Sequence, residues 1–212
     1  MINKYLKIGK KLFPICRSLT GIGTRKTLKI IKNQFKNLKI YQIKSGTAVY
    51  DWRVPAEWNI KKAFIMDKFG DKIINFQNNN LHLVGYSVPV NKTMPKNVLL
   101  KNLHSLPKQP TAIPYKTSYY KKFWGFCLSD KQKKQIIKKY KNSDLFKVVI
   151  DSNFNKKGFL NYGELVLKGD SKQEILISVN ICHPSMANNE LSGPIVATVS
   201  YTHLTLPTIL LV

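Results

Sequence analysis

Apolar positions recur at two different periods along the chain, and the change of period divides it. Residues 2–16 place Ile2, Tyr5, Leu6, Ile8, Leu12, Phe13 and Ile15 at helical spacing, and Pro14 marks the approach to the helix end. The turn SLTGIG follows over 18–23, and Thr24 stands where it can cap a second helix striped by Leu28, Ile31 and Phe35. Gly21 and Gly23 lack the further glycine or the Gly-Lys pair of a phosphate cradle, so they read as a helix connection. From Leu38 apolar and polar residues alternate. Residues 52–58 (WRVPAEW) read as an aromatic turn region. Residues 63–66, 68–71 and 72–76 have the form of a hairpin around Gly70, which 81–84 and 86–90 continue as strands.

Residues 107–114 are Pro-rich and read as an exit linker. A basic helix is expected from Ser129, with Ile136, Ile137 and Tyr140 as its apolar stripe. Strands are expected at 146–150, at 163–168 and at 174–181 (EILISVNI). The near-continuous apolar run of 174–181 is the pattern of a parallel strand covered on both faces. Ser192 and Pro194 then open a helix. The expected organisation is a helical part at 1–46, a β-rich insert at 47–108, and an α/β core at 109–198.

Composition shifts this picture in one respect. The chain has 212 residues, of which 35 are Lys or Arg and 11 are Asp or Glu, for a net charge of +24. Three of the basic residues are Arg (Arg17, Arg25, Arg53); the other 32 are Lys, beside 18 Asn and 21 Ile. Those three residue types share A+T-rich codons, and the Lys residues are dispersed. The charge therefore reads as a solvated, low-GC surface and not as a specific nucleic-acid interface, which would favour clustered Arg and aromatics. Cys16, Cys127 and Cys182 form no Cys-x-x-Cys motif, which points to reduced thiols and a cytoplasmic address. No apolar run reaches the 18 residues a membrane span needs.

Candidate chemistry lies where the expected buried strand ends, at 182–193 (CHPSMANNELSG). In open α/β sheets ligands gather at strand carboxyl ends. His183 followed by Pro184, with Glu190 seven residues later, offers an imidazole and a carboxylate to a divalent metal while leaving a position for water. The competing reading is a hydrogen-bonded loop. No Gly-x-Ser-x-Gly surrounds any serine, and Cys182 reads as buried by its strand, so neither supplies a nucleophile. His82, His104, Trp52, Trp58 and Trp124 read as packing residues, and Glu164 as a sheet-edge residue.

Segments 12–21 (LFPICRSLTG), 51–58 (DWRVPAEW), 81–82, 86–87, 103–107 (LHSLP), 113–115, 118–120, 124–127 (WGFC), 163–165, 182–185 (CHPS) and 192–194 together span nearly the whole chain. In these segments it resembles the bacterial aminopeptidase-like proteins, an M28-like zinc-peptidase-fold family often found with surface-polysaccharide genes. The resemblance implies an incomplete α/β/α zinc-peptidase-like core carrying a small β-rich inserted domain, a zinc cofactor, and hydrolysis of peptide or amide bonds. It makes His183 the first zinc ligand. The pattern has a metal-bridging Asp where this chain has Asn189, with Glu190 adjacent, so Asn189 and Glu190 are the remaining ligand candidates. The general-base Glu, the other carboxylates and the last His of the family pattern would lie beyond Ala197. The alternative is a non-catalytic relative serving surface-polysaccharide biosynthesis.

Residues 199–208 (VSYTHLTLPT) resemble the in-frame translation of a transposase-type sequencing adaptor. On that resemblance 199–212 is expected to be a non-native tail, the chain an N-terminal piece of a longer protein, inactive as it stands, and His203 without function. The alternative is a genuine buried strand at 205–212.

Overall fold

The computed structural model describes residues 2–35 and 37–205, so the C-terminal part of the expected tail, 206–212, lies outside the described residues. Helix α1 (Ile2–Leu12) buries Tyr5, Ile8 and Leu12 on one face, as its apolar spacing requires. Helix α2 (Ile22–Lys32) begins after Gly21, whose φ of +116° suits glycine. Thr24 does not cap it: its hydroxyl donates to the Ser18 carbonyl, because the chain folds back on itself there. Gly23 explains the tightness of this turn, since a Cβ would stand 1.8 Å from the Cys16 carbonyl oxygen. The Gly-x-Gly pair thus answers a backbone approach.

Strand β1 (Lys39–Lys44) follows, then β2 (Ala48–Val49) and β3 (Trp52–Arg53), which pair as a miniature hairpin. Strand β4 (Glu57–Met66) starts earlier than the expected aromatic turn allows. Trp58 is already inside it, 3% exposed, with its indole N–H donating to the Ser87 carbonyl at 3.0 Å. A buried indole with a partner belongs in a core strand, which is why 57–58 are not turn. The hairpin to β5 (Lys72–Asn75) forms as expected. Gly70 takes φ +91°, and the Asp67 carboxylate accepts the Phe69 and Asp71 amides.

The expected strands over 81–90 do not form. The Asn79 side chain accepts the Leu81 amide and caps a 3-10 turn over Asn80–His82, and Tyr86 at φ +62° breaks the extended path. Strand β6 (Val90–Pro95) follows, then a short helix α3 (Lys96–Leu99), β7 (Leu103–His104) and β8 (Phe126–Cys127). Helix α4 (Asp130–Lys139) opens with a Ser129–Gln132 capping box. Strand β9 (Leu145–Asn155) alternates, burying Phe146, Val148, Ile150 and Ser152. Strand β10 (Phe159–Glu164) pairs antiparallel with β1 and leaves Glu164 exposed at its end. Residues 165–168, expected in that strand, continue without strand structure.

The main sheet runs β5-β4-β9-β6 and is antiparallel throughout. Its central strand β9 comes from beyond residue 108, so the sheet joins the 47–108 block to the segment after it. β9 supplies the second neighbour that β4 needs, with Ala63 opposite Ile150 and Ile65 opposite Val148. The protein is mixed α/β with small sheets. Parallel pairing between strands is confined, among the described residues, to β7 and β8.

The largest departure concerns 174–181. The run is not a buried parallel strand: Ile175 is 93% exposed and Leu176 90%, and no strand is assigned over it. A strand needs neighbours to take its backbone groups, and no described strand pairs with this one. Helix α5 (Ser192–Thr205) does start at the expected serine and runs unbroken past Ala197. Leu191 and Ile195 pack with Tyr5, Ile8 and Leu12 in a second, smaller core. No helix among the described residues is long and apolar enough to cross a membrane.

Candidate metal centre at the 182–190 turn

The turn from Cys182 to Glu190 is seated on α1 by two contacts. The Ser185 hydroxyl donates to the Phe13 carbonyl at 3.0 Å, and Leu191 enters the α1 core. Two non-glycine residues in the turn adopt positive φ, Ser185 at +29° and Glu190 at +72°. Such backbone costs on the order of 1 kcal/mol or more and persists only where surrounding contacts enforce it. At Glu190 the enforcing contacts are visible. Its buried carboxylate accepts the backbone amides of Cys182 and of His183, the latter at 3.1 Å, and the Cys182 thiol at 3.5 Å.

His183 lies against the same carboxylate. Its Nδ1 contacts Glu190 Oε1, but the contact lacks hydrogen-bond geometry, so this ring nitrogen has no hydrogen-bond partner among the described residues. Tyr115 packs edge-on to the imidazole with ring centroids 4.4 Å apart. The ligand atoms of Cys182, His183 and Glu190 all lie within 4.8 Å of one another. An imidazole nitrogen, a carboxylate oxygen and a sulfur are the donor types that zinc accepts, and the Nδ1 without a hydrogen bond is one a metal could take, although a cation held by both groups would have to part the Nδ1–Oε1 contact. These residues therefore fit the metal that the resemblance implies. The Cys182 thiol opposes that use in one respect: burial and the neighbouring Glu190 push its pKa up to about 12, so metal coordination would have to displace a firmly held proton.

Of the sequence candidates, the fold brings His183 and Glu190 together and leaves Asn189 exposed on the outer side of the turn. The other histidines stay away from this centre. His82 is buried with Nδ1 on the Cys127 carbonyl, and His104 meets Lys116. Two residues of this corner were missed by sequence reasoning. Cys182 is half-buried but turned toward Glu190, which strand alternation could not have indicated because the strand does not form. Arg17 is 1% exposed and close enough to Glu190 for its charge to be felt there. A signal for Arg17 was present, since an arginine stands out in a chain that writes Lys at 32 of 35 basic positions.

Comparison with known proteins shows the family of the chain. A Clostridium acetobutylicum protein whose name joins polysaccharide biosynthesis to an aminopeptidase-like domain is 45% identical over 203 residues, covering 91% of this chain and 45% of that protein. A crystal structure of a candidate peptidase from the same organism matches with TM-score 0.88 and 44% identity, over 96% of this chain and 46% of that one. The chain thus spans just under half the length of these relatives. The family match begins at residue 6 and takes in 199–207, the first part of the segment that resembles an adaptor. With residues 6–207 matched to the domain of unknown function DUF4910, the chain belongs to the DUF4910 family.

Proposed function

We propose that this chain forms the N-terminal part of a zinc-dependent, M28-like aminopeptidase-like hydrolase acting on peptide or amide bonds, with His183 and Glu190 as metal ligands. The observation that carries this reading is the convergence of imidazole, carboxylate and thiol on one half-buried corner. Cys182 is the third donor, and the exposed Asn189 is at most an outer amide ligand. When bound, zinc supplies a Lewis acid that polarises the scissile carbonyl. The chain's own residues do the positioning: Glu190 fixes the 182–183 backbone through two amide hydrogen bonds, and Tyr115 sets the tilt of the imidazole. Among the described residues the candidate cluster holds Cys182, His183 and Glu190 without a further carboxylate or histidine, and this reading expects the proton-shuttling carboxylate and the last His from elsewhere in a longer protein. A cytoplasmic site of action agrees with three cysteines that form no disulfide.

The test is zinc content. A full-length protein of which this chain is a part should carry stoichiometric zinc, and His183→Ala should lower affinity by about 10-fold or more. Wild-type protein that retains no zinc after dialysis would overturn the assignment.

A second reading is a non-catalytic relative acting in surface-polysaccharide biosynthesis. It is favoured by Glu190, whose carboxylate already serves two backbone amides, and by the position of Asn189. Under that reading the full-length protein folds with its Glu190 contacts intact and binds no metal.

A further inference from the structure

Between the 13–26 segment and the loop 76–80 that follows β5 lies a cleft of about 590 Å³. Small-molecule sites generally fall between about 300 and 1,000 Å³. The cleft is separate from the candidate metal centre. Cys182, His183 and Glu190 are not among its walls, and from the 182–190 turn Ser185 alone reaches it, with its hydroxyl turned to the Phe13 carbonyl.

Its charge sets it apart from the rest of the protein. Lys and Arg fill 35 of the 212 positions, yet Lys26 is the one charged side chain lining the cleft. With no carboxylate and a single cation, the walls are not built for a metal or for a multiply charged anion. What they offer is neutral: the side-chain amides of Asn59, Gln77, Asn78 and Asn79, beside apolar walls that include Ile60 and Phe76.

The fold pins these amides in place. Asn79 Oδ1 accepts the Leu81 amide at 2.9 Å, which leaves Nδ2 as a donor without a partner among the described residues. Gln77 Nε2 donates to the Lys61 carbonyl at 3.2 Å, which leaves Oε1 as an acceptor without one. Asn59 is held at both ends, by the Ile22 amide at 2.8 Å and by Glu57 at 3.0 Å, and forms a fixed wall. Side chains already ordered by such bonds lose little entropy when a ligand arrives. Phe76 packs against the main core and is only half-buried, so the rest of its ring lines the cleft. A free donor and a free acceptor two residues apart, next to an aromatic ring, match a small ring that carries hydroxyl groups. Each hydroxyl both donates and accepts, and the C–H face of such a ring packs on the aromatic one.

We infer that this cleft is a binding site for a neutral sugar, with Asn79 Nδ2 donating to one ring hydroxyl, Gln77 Oε1 accepting from another, and Phe76 packing against the ring. This goes beyond the hydrolase reading and requires no metal.

The experiment titrates the full chain with the methyl glycosides of glucose, galactose, mannose and N-acetylglucosamine in the presence of a metal chelator, and follows the side-chain amide signals by NMR. At least one glycoside should bind saturably, with a Kd of about 1 mM or tighter, and shift the Gln77 and Asn79 signals. N-acetylalaninamide, a neutral peptide analogue, should bind at least about 10-fold more weakly. Asn79→Ser can still cap the Leu81 amide through its hydroxyl but removes the free donor, and Gln77→Met removes the free acceptor at an exposed position. Each should weaken the glycoside about 5-fold or more. The comparison of glycosides with the peptide analogue on unaltered protein decides the matter even if a variant fails to fold. No saturable binding by any of the four glycosides, shifts confined to other surfaces, equal binding of the peptide analogue, or undiminished binding by either folded variant would each overturn the inference. Zinc content is read on separate samples without chelator, so either proposal can fail alone.

Discussion

Replacing Glu57 with Gln should destabilise the protein by about 2 kcal/mol at pH 7, and the loss should fade as the pH is lowered. Glu57 opens β4 and is a junction for three elements. Arg25 of α2 donates to both carboxylate oxygens at 2.7 Å, the Asn59 amide donates at 3.0 Å, and the Phe159 amide of β10 at 3.2 Å. The Arg25 hydrogen bonds are the largest influence and, with the Asn59 and Phe159 donors, hold the carboxyl pKa at about 2 against an ordinary 4.5. At full strength a difference of that size is worth about 3 kcal/mol. The Arg25 side chain is 34% exposed, so water screens part of it and about 2 kcal/mol remains.

The sign follows from the depressed folded-state value. The carboxylate's contribution is complete above pH 4.5, where the unfolded chain is also ionised, and is lost as the pH falls toward 2. Urea unfolding followed by Trp58, which sits next to Glu57 in β4, reads the difference directly. Wild type and Glu57→Gln should separate clearly at pH 7 and converge near pH 2. A double-mutant cycle with Arg25→Gln should return a coupling of at least about 1 kcal/mol. A gap that stays constant from pH 7 to pH 2.5, or no gap at all, would refute the reasoning.

Two further outcomes follow from the backbone and the surface. Gly23→Ala must move either α2 or the Cys16 carbonyl, which a Cβ would approach to 1.8 Å, and should cost about 2–4 kcal/mol in thermal or urea unfolding; a loss under about 0.5 kcal/mol would contradict that close approach. Changing Ile175 and Leu176 to Lys should leave stability within about 0.5 kcal/mol, because the two are 93% and 90% exposed, while reducing light scattering from self-association.

Local chemistry was legible wherever a residue acts on its near neighbours. The α1 stripe, the Gly70 hairpin, the helix expected from Ser129 and the strand expected at 146–150 all follow from short-range rules, and all appear. Readings failed where a distant partner decides. Glu57 and Trp58 read as turn because nothing nearby announces that Trp58 will bond Ser87 and Thr20, or that Arg25 will clamp Glu57. Residues 81–90 read as strand because apolar content outweighed a single capping asparagine. In the candidate metal centre, His183 and Glu190 were visible as a spacing. Cys182 and Arg17 were not, since their roles depend on how the 182–190 turn meets the 12–18 segment.

The 174–181 run gives the same lesson from the opposite direction. Its composition is that of a covered strand, and its conformation is that of a segment with no described neighbour to pair with. Donors that must hold a metal within a few tenths of an ångström need support on every side. The 182–190 turn has that support from α1 and α5, through Ser185, Leu191 and the Glu190 hydrogen bonds, but on its other side it hangs from an exposed apolar ribbon. The imidazole of His183 is held by Glu190 and the Tyr115 ring, while the backbone leading into it has no strand neighbour among the described residues. If the longer protein pairs a strand with 174–181, the same pairing that buries Ile175 and Leu176 also stiffens the backbone entering Cys182 and His183. On the proposed metal reading, affinity and the burial of that ribbon are then one property, and both should rise together in any longer form that pairs a strand with 174–181.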